Sequence, residues 1–135
     1  EINERMKDRS NVFVFDSIDD LYPYYARAAL VICRSGASTL SEIAYFGRPC
    51  IMIPLPWAAE NHQWKNAGLV ESQGWGIRVA QDDDCGRTVG EAVGSLMKDH
   101  TKLELMSRKA LNQSPAKAAR TIADTVLEHL EDKQC

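Results

Sequence analysis

Leu30-Val31-Ile32-Cys33-Arg34-Ser35-Gly36-Ala37-Ser38-Thr39-Leu40-Ser41-Glu42 is the stretch on which the fold turns. Its first four residues are apolar without alternation, the pattern of a parallel strand buried on both faces by helices. Small polar residues then make a turn. Ser38 is a suitable N-cap for a helix predicted to run to Phe46, where Gly47 and Pro49 supply a stop. A buried strand that feeds straight into a helix is the first half of a β-α-β unit.

The same grammar repeats on either side. Upstream, Val12-Phe13-Val14-Phe15 predicts a strand, and Asp16, Ser17, Asp19 and Asp20 supply turn and cap residues before a helix from Leu21 to Ala29. Pro23 is tolerable there only near the first turn. Downstream, Cys50-Ile51-Met52-Ile53 predicts another strand, ended by Pro54 and Pro56. Asn61 to Gln73 reads as a helix closed by Gly74, and Ile77-Arg78-Val79 as a short strand. The remainder reads as helices over about Thr88 to Lys98, Leu103 to Leu111 and Pro115 to Leu130. In the last of these, Ala118, Ala119, Ile122, Ala123, Val126, Leu127 and Leu130 form one apolar stripe that is expected to pack on a neighbour. Strand and helix thus alternate four times, which predicts a doubly wound α/β domain with a parallel sheet. In such domains ligands sit at the carboxyl ends of the strands, here the loops after Phe15, Cys33, Ile53 and Val79.

Composition narrows the function. At 135 residues, 44% apolar and 26% charged, the chain is one globular domain and too short for a two-domain enzyme. A net charge of −3 argues against a sequence-independent nucleic-acid footprint, which needs a basic face. The longest uncharged apolar runs are far short of the roughly 20 residues that span a bilayer. The start, Glu1-Ile2-Asn3-Glu4-Arg5, has no signal-peptide pattern and no initiator methionine, so a piece of a longer chain is expected. Cys33, Cys50, Cys85 and Cys135 form no C-x-x-C pair, which leaves neither a zinc knuckle nor a compact disulfide framework and fits a reducing cytoplasm. Cys33 and Cys50 read as small buried hydrophobes.

Three features can carry chemistry. The loop Arg34 to Thr39 opens a helix whose first N–H groups lack internal partners, a candidate cradle for a diphosphate; it is neither a dinucleotide fingerprint nor a P-loop, and small-residue turns of this kind are also common without a ligand. Glu42, one turn into that helix, can accept hydrogen bonds from both hydroxyls of a ribose, or can simply favour the positive end of the helix dipole. In Pro54-Leu55-Pro56-Trp57-Ala58-Ala59-Glu60-Asn61-His62-Gln63-Trp64-Lys65-Asn66-Ala67, helical spacing brings His62, Gln63 and Asn66 to one side. Their amides suit sugar hydroxyls, although an ordinary polar helix face has the same look. No metal is expected, because His100 and His129 lie in segments without matching ligand spacing, and no cofactor is implied.

Cys33-Arg34-Ser35-Gly36-Ala37-Ser38-Thr39-Leu40-Ser41-Glu42-Ile43, Gly47-Arg48-Pro49, Ile53-Pro54 and His62-Gln63-x-x-Asn66-Ala67 together resemble the carboxyl-terminal half of the MurG family, over nearly the whole chain. The resemblance implies a Rossmann-like carboxyl-terminal domain of a GT-B glycosyltransferase, spanning residues 1–135 as one donor-binding domain of a two-domain chain. Such enzymes move N-acetylglucosamine from UDP-N-acetylglucosamine to lipid-linked muramoyl-pentapeptide, in peptidoglycan synthesis. Ile18 then matches the backbone position that meets the uracil. Ala37, Ser38 and Thr39 match the loop facing sugar and diphosphate, with Arg34, Ser35 and Gly36 supporting it. Glu42 matches the ribose carboxylate, and His62, Gln63 and Asn66 the residues around the N-acetylglucosamine hydroxyls. Some members carry glutamine where His62 stands. The acceptor site, candidate general base and membrane-facing patch belong to the family's other half, so the resemblance implies a cytoplasmic enzyme peripheral to the inner face of the bacterial membrane, no catalytic base in these residues, and no turnover by them alone. Two other expectations compete: a non-catalytic donor-binding subunit that docks on a separate acceptor-binding chain, and a sugar-nucleotide epimerase of the same fold.

Overall fold

The computed structural model describes residues 9–57 and 61–131, together with Glu4 and Met6. The first residues of the chain, residues 58–60 of the polar segment and Cys135 lie outside the described residues. In chain order the elements are α1 (Tyr22–Arg27), β1 (Val31–Cys33), α2 (Ala37–Tyr45), β2 (Cys50–Met52), α3 (His62–Gln73), β3 (Gly76–Arg78), α4 (Cys85–Lys98), α5 (His100–Asn112) and α6 (Ala116–Glu131). The strands form one parallel sheet in the order β1-β2-β3, with Val31 opposite Cys50 and Cys50 opposite Gly76.

The central strand is buried throughout, and its alternating side chains feed two cores. Cys50 and Met52 point into a cluster with Leu40, Ile43 and Ala44 of α2, Ala67 and Val70 of α3, Tyr25 of α1 and Ala110 of α5. Ile51 points the other way, into a cluster with Leu96 of α4, Met106 of α5 and Val79. Helices therefore cover both faces, as the unalternating apolar strands predict. The stop after α2 is a Schellman motif: Gly47 takes a φ of 62°, its N–H donates to the Ala44 carbonyl, and the Arg48 N–H donates to that of Ile43. Gly74 closes α3 in the same left-handed conformation. The Arg48 guanidinium donates to the Ala26 carbonyl at 2.8 Å and Ser107 to the Gly47 carbonyl at 2.7 Å, so one turn anchors α1, α2 and α5.

Several sequence expectations change. Residues 12–15 pair with no strand among the described residues, and Phe13 is 78% exposed. An extended segment becomes a strand only through a neighbour's N–H and C=O groups, and among the described residues none lies alongside. The sheet accordingly has three strands here, with β1 at its edge and Ile32 half exposed. Gly36, not Ser38, is the N-cap of α2, which places Ser38 in the first turn. The apolar stripe of α6 does not pack: Ile122, Val126, Leu127 and Leu130 are all exposed. Among the described residues no helix is long and apolar enough to cross a membrane.

Candidate functional site

The three β-to-α connections lie together at the carboxyl ends of the strands, and Arg34 ties them. From the loop after β1 its guanidinium donates to the Ile53 carbonyl after β2 at 2.9 Å and to the Gln81 side chain after β3. Next to it Ser35 is fully buried. The Ser35 hydroxyl donates to the Gln63 carbonyl at 2.8 Å, and the Ser35 carbonyl accepts from Asn66 Nδ2 at 3.1 Å. Gln63 Oε1 in turn accepts from the Leu55 N–H at 3.0 Å. Each contact joins loop to loop or loop to helix, so the turn that opens α2 is held rigidly against α3.

That turn presents the start of α2. The Leu40 N–H makes the first helical bond, to the Gly36 carbonyl at 3.0 Å, and the amides of Ala37, Ser38 and Thr39 precede it without helical acceptors. Ala37 and Ser38 are exposed, and α2 has no acidic residue in its first turn to occupy those amides. The helix dipole and the nearby Arg34 charge both favour an anion there.

Glu42 stands about a turn further along, on the side of α2 shared with Ser38 and Thr39 by the three- and four-residue spacing. It lines a cavity of about 520 Å³ with Tyr22, Ser41, Tyr45, Phe46 and Pro115. Burial first, then the Glu42 charge, push the Tyr25 phenol above its usual value of 10.0. Asn66 falls elsewhere, in a groove of about 240 Å³ between α2 and α3 that Ala37, Leu40 and Ser41 also line. Glu42 and Asn66 thus line two different cavities beside α2, with Ser41 in the lining of both.

The other sequence candidates are placed as follows. Ile18 is half buried in the loop before α1, where the Tyr22 N–H donates to the Asp20 carboxylate at 2.9 Å. His62 is the exposed first residue of α3, after Asn61 in a left-handed conformation. Gln63 and Asn66 each commit one end of the amide to the scaffold, so Gln63 Nε2 and Asn66 Oδ1 are the ends that can meet a ligand. Sequence reasoning missed Gln81 and Tyr22. The Arg34–Gln81 contact spans 47 residues and has no local signal. Tyr22 lines the Glu42 cavity from another helix, which spacing along the chain does not reveal.

A family model of the glycosyltransferase family 28 C-terminal domain matches residues 1–125. The chain belongs to this family. It is 34% identical over 114 residues to the UDP-N-acetylglucosamine–N-acetylmuramyl-(pentapeptide) pyrophosphoryl-undecaprenol N-acetylglucosamine transferase of Trichlorobacter lovleyi, covering 84% of this chain and 30% of that one. To the Solidesulfovibrio magneticus protein of the same name it is 37% identical over 124 residues, covering 92% of this chain and 34% of the relative. The crystal structure of Acinetobacter baumannii MurG superposes with a TM-score of 0.73 at 28% identity, over 86% of this chain and 33% of that one. A kitacinnamycin glycotransferase shares the fold, with a TM-score of 0.56 at 20% identity. The family 28 domain described here therefore spans about a third of the length of the curated relatives it matches. Its parallel sheet with helices on both faces is that of the carboxyl-terminal domain of a GT-B glycosyltransferase, as the MurG resemblance implies.

Proposed function

We propose that this domain binds the nucleotide-sugar donor, UDP-N-acetylglucosamine, in a two-domain inverting glycosyltransferase that converts lipid-linked muramoyl-pentapeptide to its disaccharide form. The observation that carries the reading is the start of α2. Its first-turn amides, which lack helical acceptors, with Glu42 about a turn below in one cavity and Asn66 in another, suit the parts of the donor: ribose, diphosphate, sugar. The diphosphate rests on the amides of Ala37, Ser38 and Thr39, and the ribose hydroxyls bond Glu42. The uracil meets the backbone at Ile18. The sugar hydroxyls face Asn66 and Gln63, with His62 at the rim. As the acceptor hydroxyl attacks the anomeric carbon, UDP leaves with growing negative charge, and amides already fixed by the Ser35 and Arg34 contacts stabilise it without rearranging.

The acceptor site and the general base belong, in this reading, to a second domain. The uncovered apolar side chains of residues 12–15 and of α6 supply surface for such a neighbour. The whole enzyme then works peripherally at the inner face of the bacterial membrane, where its lipid-linked acceptor is held. Calorimetric titration of UDP-N-acetylglucosamine into the full-length protein tests the site. Glu42→Ala should weaken binding by roughly 1.5–3 kcal/mol, the loss of hydrogen bonds to a charged group. Unchanged affinity would contradict the ribose role.

A further inference from the structure

We infer that Arg78 is a positioning residue of this site, which clamps the first turns of α3 so that the donor sugar meets Gln63 and Asn66 already in place. The inference rests on the sugar role of those two amides given above. A helix start frays unless its first N–H groups are capped, and α3 has little of its own to prevent this. It begins after Asn61 in a left-handed conformation, with no side-chain hydrogen bond at the cap and no acidic residue in its first turn. Neighbouring segments hold it instead. On one side the Ser35 hydroxyl donates to the Gln63 carbonyl and Asn66 donates to the Ser35 carbonyl. On the next side Arg78 Nη1 donates to the adjacent carbonyl, that of Trp64, at 3.4 Å. Trp64 stands between Gln63 and Asn66 in the chain, so a shift there carries both amides with it.

Arg78 ends β3, at the carboxyl edge of the sheet, and its side chain lies against α3. The guanidinium sits over the Trp64 ring, 4.0 Å from the centroid. Its Nη2 pairs with Glu71 Oε2 at 3.1 Å, and the Arg78 backbone N–H donates to Glu71 Oε1 at 3.2 Å, so one carboxylate fixes both ends of the residue. Trp64, Gly68 and Glu71 follow the four- and three-residue steps of a single helix face. Gly68 leaves the gap between ring and carboxylate, where a Cβ would come within 3.1 Å of Arg78 Nη1. Glycine weakens a helix interior, and here it gives a planar cation room to lie flat on the helix. The Arg78 side chain is only 25% exposed, so its ion pair is partly shielded from water. In the reading above UDP rests on α2 and the loop before α1, away from this clamp. The clamp therefore orders the groups that meet the sugar before the donor arrives.

Arg78→Ala removes the clamp. In calorimetric titrations of the full-length protein this variant should bind UDP-N-acetylglucosamine about fivefold more weakly, what one well-placed hydrogen bond is worth. It should bind UDP as the unmodified protein does. Arg78→Lys keeps the charge beside Glu71 but has no planar face for Trp64, and should show the same selective loss in smaller measure. UDP-N-acetylglucosamine affinity unchanged in both variants but lowered by Asn66→Ala overturns the inference and leaves the sugar reading standing. Equal weakening toward UDP and UDP-N-acetylglucosamine also overturns it, since a general defect of the fold does not discriminate between the two, and so does failure of both variants to fold. If Asn66→Ala weakens UDP-N-acetylglucosamine no more than UDP, the sugar reading fails and this inference falls with it.

Discussion

Cys33 and Cys50 stand on adjacent strands, two residues out of register, and their thiols influence each other's ionisation. The influence is unequal. It lowers the Cys33 thiol against the effect of burial, whereas the same influence, then burial, drive the fully buried Cys50 thiol far above its usual range. Thiolate is the reactive form, so the two residues should differ sharply toward an alkylating reagent. Iodoacetamide followed by peptide mass mapping should find Cys33 modified before Cys50, at a rate that rises with pH as its thiolate fraction grows. Earlier labelling of Cys50 would contradict this assignment. Reading both as small buried hydrophobes was right for Cys50 and incomplete for Cys33, which is half buried and ends β1 just before the Arg34 loop. Glu42 was legible for a local reason, because a small-residue turn and helical spacing fix its place. Tyr22 was not, because its place in the Glu42 cavity depends on how α1 lies against α2.

At the scale of elements, the strands lean on small residues. A Cβ on Gly76 of β3 would come within 2.6 Å of Val70 Cγ1, 2.7 Å of Met52 Cε and 2.9 Å of Cys50 Sγ, three neighbours in the tightest part of the core. Gly76→Ala should destabilise the domain by about 1–3 kcal/mol, the usual cost of overpacking, read as a lowered urea midpoint at unchanged slope. A midpoint equal to or above that of the unmodified protein would show that the core can yield. Helices α2 and α3 were readable to within a residue or two because both end on glycines with positive φ, and a missing Cβ leaves a mark in the sequence. The apolar runs at 31–33 and 50–52 were readable because an unalternating apolar run marks a strand with helices packed on its faces. Residues 12–15 and α6 were misjudged for the converse reason. Their apolar patterns call for fuller cover than the described residues provide, where Phe15 meets Tyr24 but pairs with no strand, and a pattern cannot name its partner.

At the scale of the molecule, the two cores on either side of β2 make a rigid platform, and three loops at its carboxyl edge are locked together by Arg34, Ser35, Gln63 and Asn66. The side chains expected to touch a sugar thus also build the site, an economy that spacing along the chain does not reveal. Glu42 and Asn66 line two cavities beside α2. The start of that helix is where a diphosphate belongs. The most direct measurement is a crystal structure of the full-length protein with UDP-N-acetylglucosamine bound. It should show diphosphate oxygens within about 3 Å of the Ala37, Ser38 and Thr39 amides, the ribose hydroxyls on Glu42 and the sugar on the Asn66 side. A donor bound elsewhere, with the start of α2 left bare, would contradict the account.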